Sequence, residues 1–517
     1  MKSLILTVLG TIGVALGSEP STHGEYVITR QGIIHGATVG SVDEFLGVPF
    51  AAPPTGNLRW RPPAPPTHWS GVREATTKGS ACAQLLSPGG DIPMASEDCL
   101  YLNVYRPREH MPEGPRPVLV FIHGGSNTGG SGNEFDPSQM VRETGLIVVM
   151  INYRLGVFGF LAIPALDAQS EEPDSGNYAI MDQQAALRWV RENILAFGGD
   201  PANVTVGGHS AGATDICASL VSPAARGLFS KAILESRNCL TVTHQQALVQ
   251  GEKVAVSLGC TDTTTAATCM RANSAGDLLT ATASDQANPN VGGRLLPVEP
   301  LQALASGHWN RVPVLLGSTH DEATGAVALQ LRNAGILDPF KLTEQQYGLI
   351  VQRTFKTLAP TVLAEYSPAP SPFYTFAAEN TDWQIACPIS SIGRTISALT
   401  PTFHYEFADP APPLPNGWPV VPPPGFGAYH GAELQYLFHL ASETGSQTPA
   451  QQRLAARMIH HWGAFVRTGN PNSPGLTDWP AELPGIQNVL SLRPDGDEVM
   501  LDFDVEHHCE FWDSVTP

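Results

Sequence analysis

Residues 206–213 read VGGHSAGA, and Gly208-His209-Ser210-Ala211-Gly212 is a Gly-x-Ser-x-Gly turn. It follows the β-branched run Val204-Thr205-Val206 and precedes a small, apolar stretch at 211–220. The first suits a buried strand and the second a helix packed beneath it. A sharp strand-to-helix turn stands a serine hydroxyl clear of its own chain. Crowding at such a turn demands small residues two places before and after it. Gly208 and Gly212 meet that demand, so Ser210 is the candidate nucleophile.

Outward from the turn, strands and helices alternate. Residues 117–123 (PVLVFIH) and 146–153 (LIVVMINY) are continuous apolar runs of strand length, as expected at the centre of a sheet covered on both faces. Residues 181–197 carry apolar positions at helical spacing and end at Gly198-Gly199-Asp200-Pro201. Residues 231–235, 312–317 and 402–407 read as further strands, and 450–467 as a long helix closed by Thr468-Gly469-Asn470-Pro471. The expected fold class is α/β, a large, mostly parallel sheet with helices on both faces and a ligand site at the carboxyl ends of the strands. After one of those ends comes His123-Gly124-Gly125-Ser126, a turn able to aim backbone N–H groups at an oxyanion together with the N–H of Ala211.

With 29 Lys+Arg against 48 Asp+Glu, the 517-residue chain has a net charge of −19, which repels phosphate backbones and anionic membranes. Nucleic acid is therefore not an expected partner. No long linker, charge block or repeat divides the chain, which favours one large domain over 18–517 with loop insertions. At 1–17, Lys2 precedes an apolar run too short to span a bilayer, and Ala15-Leu16-Gly17 offers small residues for a signal peptidase. A soluble, secreted protein with no membrane span follows, and nothing in the chain asks for an obligatory protein partner. Eight cysteines suit that compartment. Cys82 and Cys99 bracket one short loop and Cys260 and Cys269 another, although spacing alone does not fix the pairing. Cys217, on the helix behind Ser210, reads as a buried free thiol. Asn203-Val204-Thr205 is the one glycosylation sequon, leading straight into the turn's strand.

Longer motifs carry a resemblance. Residues 45–51 (FLGVPFA), 97–104 (EDCLYLNV), Asn152-Tyr153-Arg154, 159–161 (GFL) and 196–201 (AFGGDP) run through nearly the whole chain after the leader. Together with the turn they resemble the type-B carboxylesterase/lipase family, the cholinesterase-like α/β-hydrolases, and in particular its secreted fungal members. The resemblance implies an α/β-hydrolase fold and ester hydrolysis through an acyl-serine on a small-molecule ester, with no metal or organic cofactor. It also implies two partners that no local spacing identifies: Glu322, the second acid in Ser318-Thr319-His320-Asp321-Glu322, and His430, the histidine before glycine in Tyr429-His430-Gly431. The order Ser210, Glu322, His430 is that of the fold. By position, Gly125, Ser126 and Ala211 become the oxyanion donors. The family's disulfides map onto Cys82–Cys99 and Cys260–Cys269, and a further cholinesterase bridge onto Cys387 and Cys509.

Three departures bear on specificity. His209 stands where many members place Glu beside the nucleophile. Ser126 and Asn127 stand where a third glycine and an aromatic are usual. The Cys82-to-Cys99 loop holds no tryptophan, so no aromatic face for a quaternary ammonium is expected there, and choline esters are not the expected substrates. The Pro-rich stretch 409–425 reads as a stiff rim before His430. Two further readings share these residues. One is an acyltransferase or lactone-forming enzyme in which an alcohol replaces water on the same acyl-enzyme; the other is a catalytically silent binding or adhesion protein.

Overall fold

Alternate residues of the apolar runs divide between two cores. In Arg116–Ile122, Val118, Val120 and Ile122 pack into one cluster, and Leu119 and Phe121 into the other. Ile147–Ile151 splits the same way, with Ile147, Val149 and Ile151 on the first face and Val148 and Met150 on the second. A strand sandwiched between two helical layers has no solvent face, which is why both runs are apolar without alternation.

The computed structural model describes residues 25–85, 95–109, 114–169, 175–282, 287–415, 418, 425–441 and 445–515, so the leader read at 1–17 lies outside the described residues. An eleven-stranded sheet organises them. In chain order its strands are β1 (Ala37–Val39), β2 (Val42–Pro49), β3 (Tyr101–Pro107), β4 (Arg116–Ile122), β5 (Ile147–Ile151), β6 (Gly199–His209), β7 (Lys231–Glu235), β8 (Val314–Thr319), β9 (Thr402–Phe407), β10 (Val489–Leu492) and β11 (Glu498–Met500). Their spatial order is β11-β10-β9-β8-β7-β6-β4-β5-β3-β2-β1. From β5 across to β10 every pairing is parallel, and the pairings at the two margins are antiparallel. Helices Tyr178–Asn193 and Ala211–Val221 cover one face, and Pro449–Thr468 covers the other through Leu454, Met458, Trp462 and Phe465. Gly469, left-handed at φ 79°, ends the last of these.

Two of the signatures that carry the resemblance turn out to be buried ion pairs. Arg59 grips Glu97 at 2.7 and 2.5 Å, and Arg154 grips Asp182 with two contacts of 2.7 Å, joining the end of β5 to helix Tyr178–Asn193.

The cysteines pair as Cys82–Cys99, Cys260–Cys269, Cys387–Cys509 and Cys217–Cys239. The last corrects the free thiol read at Cys217. The loop after β7 folds back over helix Ala211–Val221, where Thr214 Oγ1 donates to the Asn238 carbonyl at 2.8 Å, and the two cysteine Cα atoms come within 5.4 Å. Nothing local in the sequence links those segments. Four disulfides, with no helix among the described residues long and apolar enough to cross a membrane, fit a secreted or luminal protein. Asn203 is half-buried, and its Nδ2, the atom a glycan would occupy, donates to the Arg467 carbonyl at 3.1 Å.

Near the carboxyl terminus, His507 lies between Asp382 (2.6 Å) and Glu406 on β9 (3.0 Å), two residues before the bridged Cys509. Burial opposes a charged imidazole there, but the hydrogen bonds to the two carboxylates outweigh it and raise the pKa to about 9. Unfolded histidine titrates near about 6.5, so this clamp contributes its full stability below that pH and loses it as pH rises through about 9. His507→Gln is expected to cost about 3–5 kcal/mol at pH 6, where it breaks a buried charged pair. Thermal melts from pH 6 to 10 should show the gap from the parent narrowing. A gap independent of pH would remove the charged clamp.

Candidate active site

The register of β6 sets up the turn. Gly208 lies opposite Ile122 of β4 and Leu234 of β7, and His209 opposite Glu235. The chain then reverses at Ser210, whose φ of 56° and ψ of −122° fall outside the regions open to a residue with a Cβ. The surroundings hold it there. The Ser210 N–H donates to the Glu235 carbonyl at 2.8 Å, and its own carbonyl accepts from Ala213 and Thr214 at 2.9 and 3.2 Å. A Cβ at Gly212 would lie 2.2 Å from the Ile122 carbonyl oxygen, and one at Gly208 would lie 2.9 Å from the Gly212 carbonyl carbon. Both glycines are therefore obligatory at this approach.

Ser210 Oγ lies 2.9 Å from His430 Nε2, and His430 Nδ1 lies 2.5 Å from Glu322 Oε2. Ser210 and Glu322 follow the ends of β6 and β8, and His430 lies in the long connection after β9. Glu322 follows β8, is 1% exposed, and accepts from the Thr319 N–H at 2.9 Å through its other oxygen. The segment bearing His430 is stitched to the one bearing Glu322 by Asp321. The Asp321 carboxylate accepts from the Ala428 N–H at 2.8 Å, and its N–H donates to the Ala428 carbonyl at 3.0 Å. Gly427 at φ 58° leaves space for that carboxylate, which a Cβ would meet at 2.1 Å. The two adjacent acids thus have separate partners, Asp321 the backbone and Glu322 the imidazole.

After β4, Gly125, Ser126 and Asn127 take φ values of 108°, 55° and 58°, a run of left-handed residues that curls the chain against Ser210. A Cβ on Gly124 would lie 2.9 Å from that of Ser210. Among the described residues, the N–H groups of Gly125, Ser126 and Ala211 donate to no protein acceptor.

His209 is 6% exposed, its ring centroid 4.6 Å from that of His430. Burial, then the neighbouring His430 and Arg237, push its pKa well below the usual histidine range, so it is a neutral imidazole. Its Nε2 makes no hydrogen bond among the described residues and lies 3.7 Å from Glu433 Oε1. Glu433 accepts from Ser236 Oγ at 2.9 Å, and Glu235 from Trp462 Nε1 at 2.8 Å. Burial and then like-charge repulsion raise these acids, Glu433 to about 7 and Glu235 to about 8. Burial lowers the pKa of His430 too, but the Glu322 carboxylate outweighs it and the net shift is upward. No cluster of His, Cys, Asp and Glu suited to a metal occurs among the described residues.

The sequence reading missed Glu235, Ser236 and Glu433, and also the polar residues behind the oxyanion turn. Asp215 offered a signal, being an acid inside an otherwise small and apolar helix. Of the Pro-rich stretch at 409–425, residues 416–417 and 419–424 lie outside the described residues. Trp418 packs on Phe426 and Tyr429, ring centroids 4.8 and 5.0 Å away, just ahead of His430.

The carboxylesterase family model matches residues 23–512. The chain is 32% identical to a cocaine esterase of Homo sapiens, over 99% of this chain and 94% of that protein. It is 35% identical to a para-nitrobenzyl esterase of Bacillus subtilis (strain 168), over 91% of this chain and 95% of that protein. A solved PNB esterase superposes with a TM-score of 0.77 at 32% identity, covering 94% of this chain and 99% of its own. An α/β-hydrolase sheet, a strained serine at its topological centre and relatives of this length agree: the chain belongs to the carboxylesterase family and is a serine carboxylic-ester hydrolase.

Proposed function

We propose that Ser210, His430 and Glu322 perform the hydrolysis, a reading carried by the continuous contact from Ser210 Oγ through both imidazole nitrogens to the buried Glu322 carboxylate. His430 Nε2 takes the hydroxyl proton as Ser210 Oγ attacks the ester carbonyl carbon. The carbonyl electron pair moves to oxygen, where the N–H groups of Gly125, Ser126 and Ala211 receive the charge. Collapse breaks the bond to the alcohol, which leaves with the proton from His430. Water then repeats both steps on the acyl-serine and releases the acid. Glu322 accepts from Nδ1–H throughout, fixing the tautomer and offsetting the transient imidazolium charge. On this reading residues 18–517 form one catalytic unit, exported after loss of 1–17.

The substrate reading is a neutral ester with an apolar arm. His209 is uncharged beside the triad, so a cationic alcohol gains no carboxylate at that position. A cavity of about 110 Å³ opens next to Thr128, two residues beyond Ser126 on the oxyanion turn, and is walled by Phe160, Leu161, Val242, Ala247 and Val254. Those apolar residues reward a hydrocarbon chain at about 0.8 kcal/mol for each buried methylene, while Gln250, Thr282 and Asn288 give the same cavity a polar side.

Ser210→Ala is expected to lower kcat by about 10⁴ or more in a fully folded protein; turnover near that of the parent overturns the nucleophile. Because only neutral His430 accepts the proton and Glu322 raises its pKa, the acid limb of kcat/KM should lie above about pH 6.5. Glu322→Gln should move that limb to lower pH while reducing kcat by about 10³–10⁴, and an unmoved limb would detach Glu322 from the base. Ala247→Phe, which fills the cavity, should lower kcat/KM for hexanoyl or hexyl esters by about tenfold relative to acetate esters, about two methylenes' worth of burial. Unchanged chain-length preference would place the apolar arm elsewhere.

A further inference from the structure

Asp215 is fully buried on the second turn of the helix that begins at Ala211, and no cationic side chain is paired with it among the described residues. Its two oxygens accept from amides on two other elements, Asn127 Nδ2 at 3.0 Å and Gln183 Nε2 at 2.5 Å. Asn127 is the last of the left-handed residues of the oxyanion turn and is 1% exposed. Its Oδ1 lies 3.1 Å from the Tyr153 hydroxyl, which is also 2.8 Å from the His123 carbonyl and shares its proton between them. The Asn127 carbonyl accepts from the Gly156 N–H at 2.6 Å. Every polar group of Asn127's side chain is thus matched by a partner on a neighbouring element. The mechanism above uses none of Asp215, Asn127, Tyr153 or Gln183.

The geometry of these contacts bears on one need. The two halves of the oxyanion hole come from separate pieces of chain, the N–H groups of Gly125 and Ser126 from the turn after β4 and that of Ala211 from the helix after β6. Donors must hold their relative places within a fraction of an ångström to favour the tetrahedral oxyanion over the planar ester. The turn is conformationally costly, because Ser126 and Asn127 both carry side chains at positive φ, and such backbone persists only where surroundings impose it. Among the described residues, the bond from Asn127 to Asp215 is the one side-chain hydrogen bond between those two pieces. We propose that Asn127 and Asp215 are a positioning pair that locks the oxyanion turn to the nucleophile's helix and so sets the spacing of the oxyanion donors. The pair rests on the acyl-enzyme reading, and its test separates the two. Burial without a countercharge pushes Asp215 up to about 7, with the two amide donors acting against that rise, so the acid is held by hydrogen bonds rather than by an ion pair.

Glycine accepts the φ of residue 127 more readily than asparagine does, so Asn127→Gly preserves the backbone and removes only the side-chain bonds. If left-handed backbone were all that residue 127 supplied, this variant would turn over like the parent. The positioning pair instead requires kcat to fall by about 10- to 100-fold, less than or comparable to the loss of a whole donor, with KM within about threefold. A trifluoromethyl ketone reports the same spacing. Ser210 Oγ adds to its carbonyl carbon, the proton passes to His430, and the oxygen becomes an oxyanion in the hole. Its affinity for Asn127→Gly should fall by the same factor as kcat/KM. Asp215→Leu should lose as much, and the double variant Asn127→Gly/Asp215→Leu no more than either alone. Asp215→Asn should stay within about threefold of the parent, because Gln183 Oε1 has no hydrogen bond among the described residues and can turn to accept from the new amide. Thermal melts verify that each variant is folded, and Asp215→Asn against Asn127→Gly decides the matter should Asp215→Leu not fold. Parent-like kcat in Asn127→Gly, or ketone affinity unchanged while kcat falls, overturns the pair. Loss of turnover in Ser210→Ala alongside parent-like Asn127→Gly would remove the pair and leave the acyl-enzyme standing; turnover in Ser210→Ala would remove the latter.

Discussion

The site depends on one close approach, that of Gly212 to the end of β4, where a single added carbon would sit 2.2 Å from the Ile122 carbonyl oxygen. It lets the helix after Ser210 start directly beneath the neighbouring strand. The serine then has no relaxed conformation available and adopts φ 56° and ψ −122°, with its hydroxyl aimed at His430. The same approach sets Gly212 against the carbonyl oxygens of both Ile122 and His123. Strain of this kind costs on the order of 1–3 kcal/mol and survives because the parallel strands on both sides are pinned in two dry cores. The sheet is therefore the part that pays for the elbow, and its signatures are largely structural: Arg59 with Glu97 and Arg154 with Asp182 hold segments together and touch no reacting atom.

Among the described residues, several buried acids surround the elbow. Glu235, Glu433 and Asp215 are all raised toward neutrality by loss of solvent, and each is held by neutral donors: Trp462, Ser236, and the amides of Asn127 and Gln183. Glu322 differs in having an imidazole as its partner. One buried carboxyl group thus contacts His430, while the others are held by neutral donors. His209 belongs to the same economy of charge, since its neutral ring adds no charge beside His430 and Glu433.

Much of this was legible in the sequence because it is local. Strand runs at 231–235 and 402–407 coincide with β7 and β9 to the residue, although both carry buried polar side chains, Lys231, Glu235, His404 and Glu406. The helix read at 181–197 starts earlier, at Tyr178, and tightens to a 3-10 turn over Ile194–Phe197, because tertiary contacts rather than periodicity set its ends. The elbow glycines were legible for the same local reason: steric demand is written at fixed offsets from the serine. Glu322 and His430 were nominated only through resemblance to a family, as no spacing rule relates residues 108 positions apart.

What the sequence determined by itself, then, was the strand-turn-helix at Ser210, the two-faced sheet that supports it and the acidic, cysteine-bearing character of the chain, all properties of short segments and of composition. The tertiary structure alone decided which distant groups meet. It joined Cys217 to Cys239 across the back of the helix after Ser210, gave Asp321 to the backbone and Glu322 to the imidazole, and set Asp215 against Asn127. These contacts follow from how parallel strands deliver their carboxyl ends to a single place, and a hydrogen bond between residues 88 positions apart leaves no periodicity in the chain that could announce it.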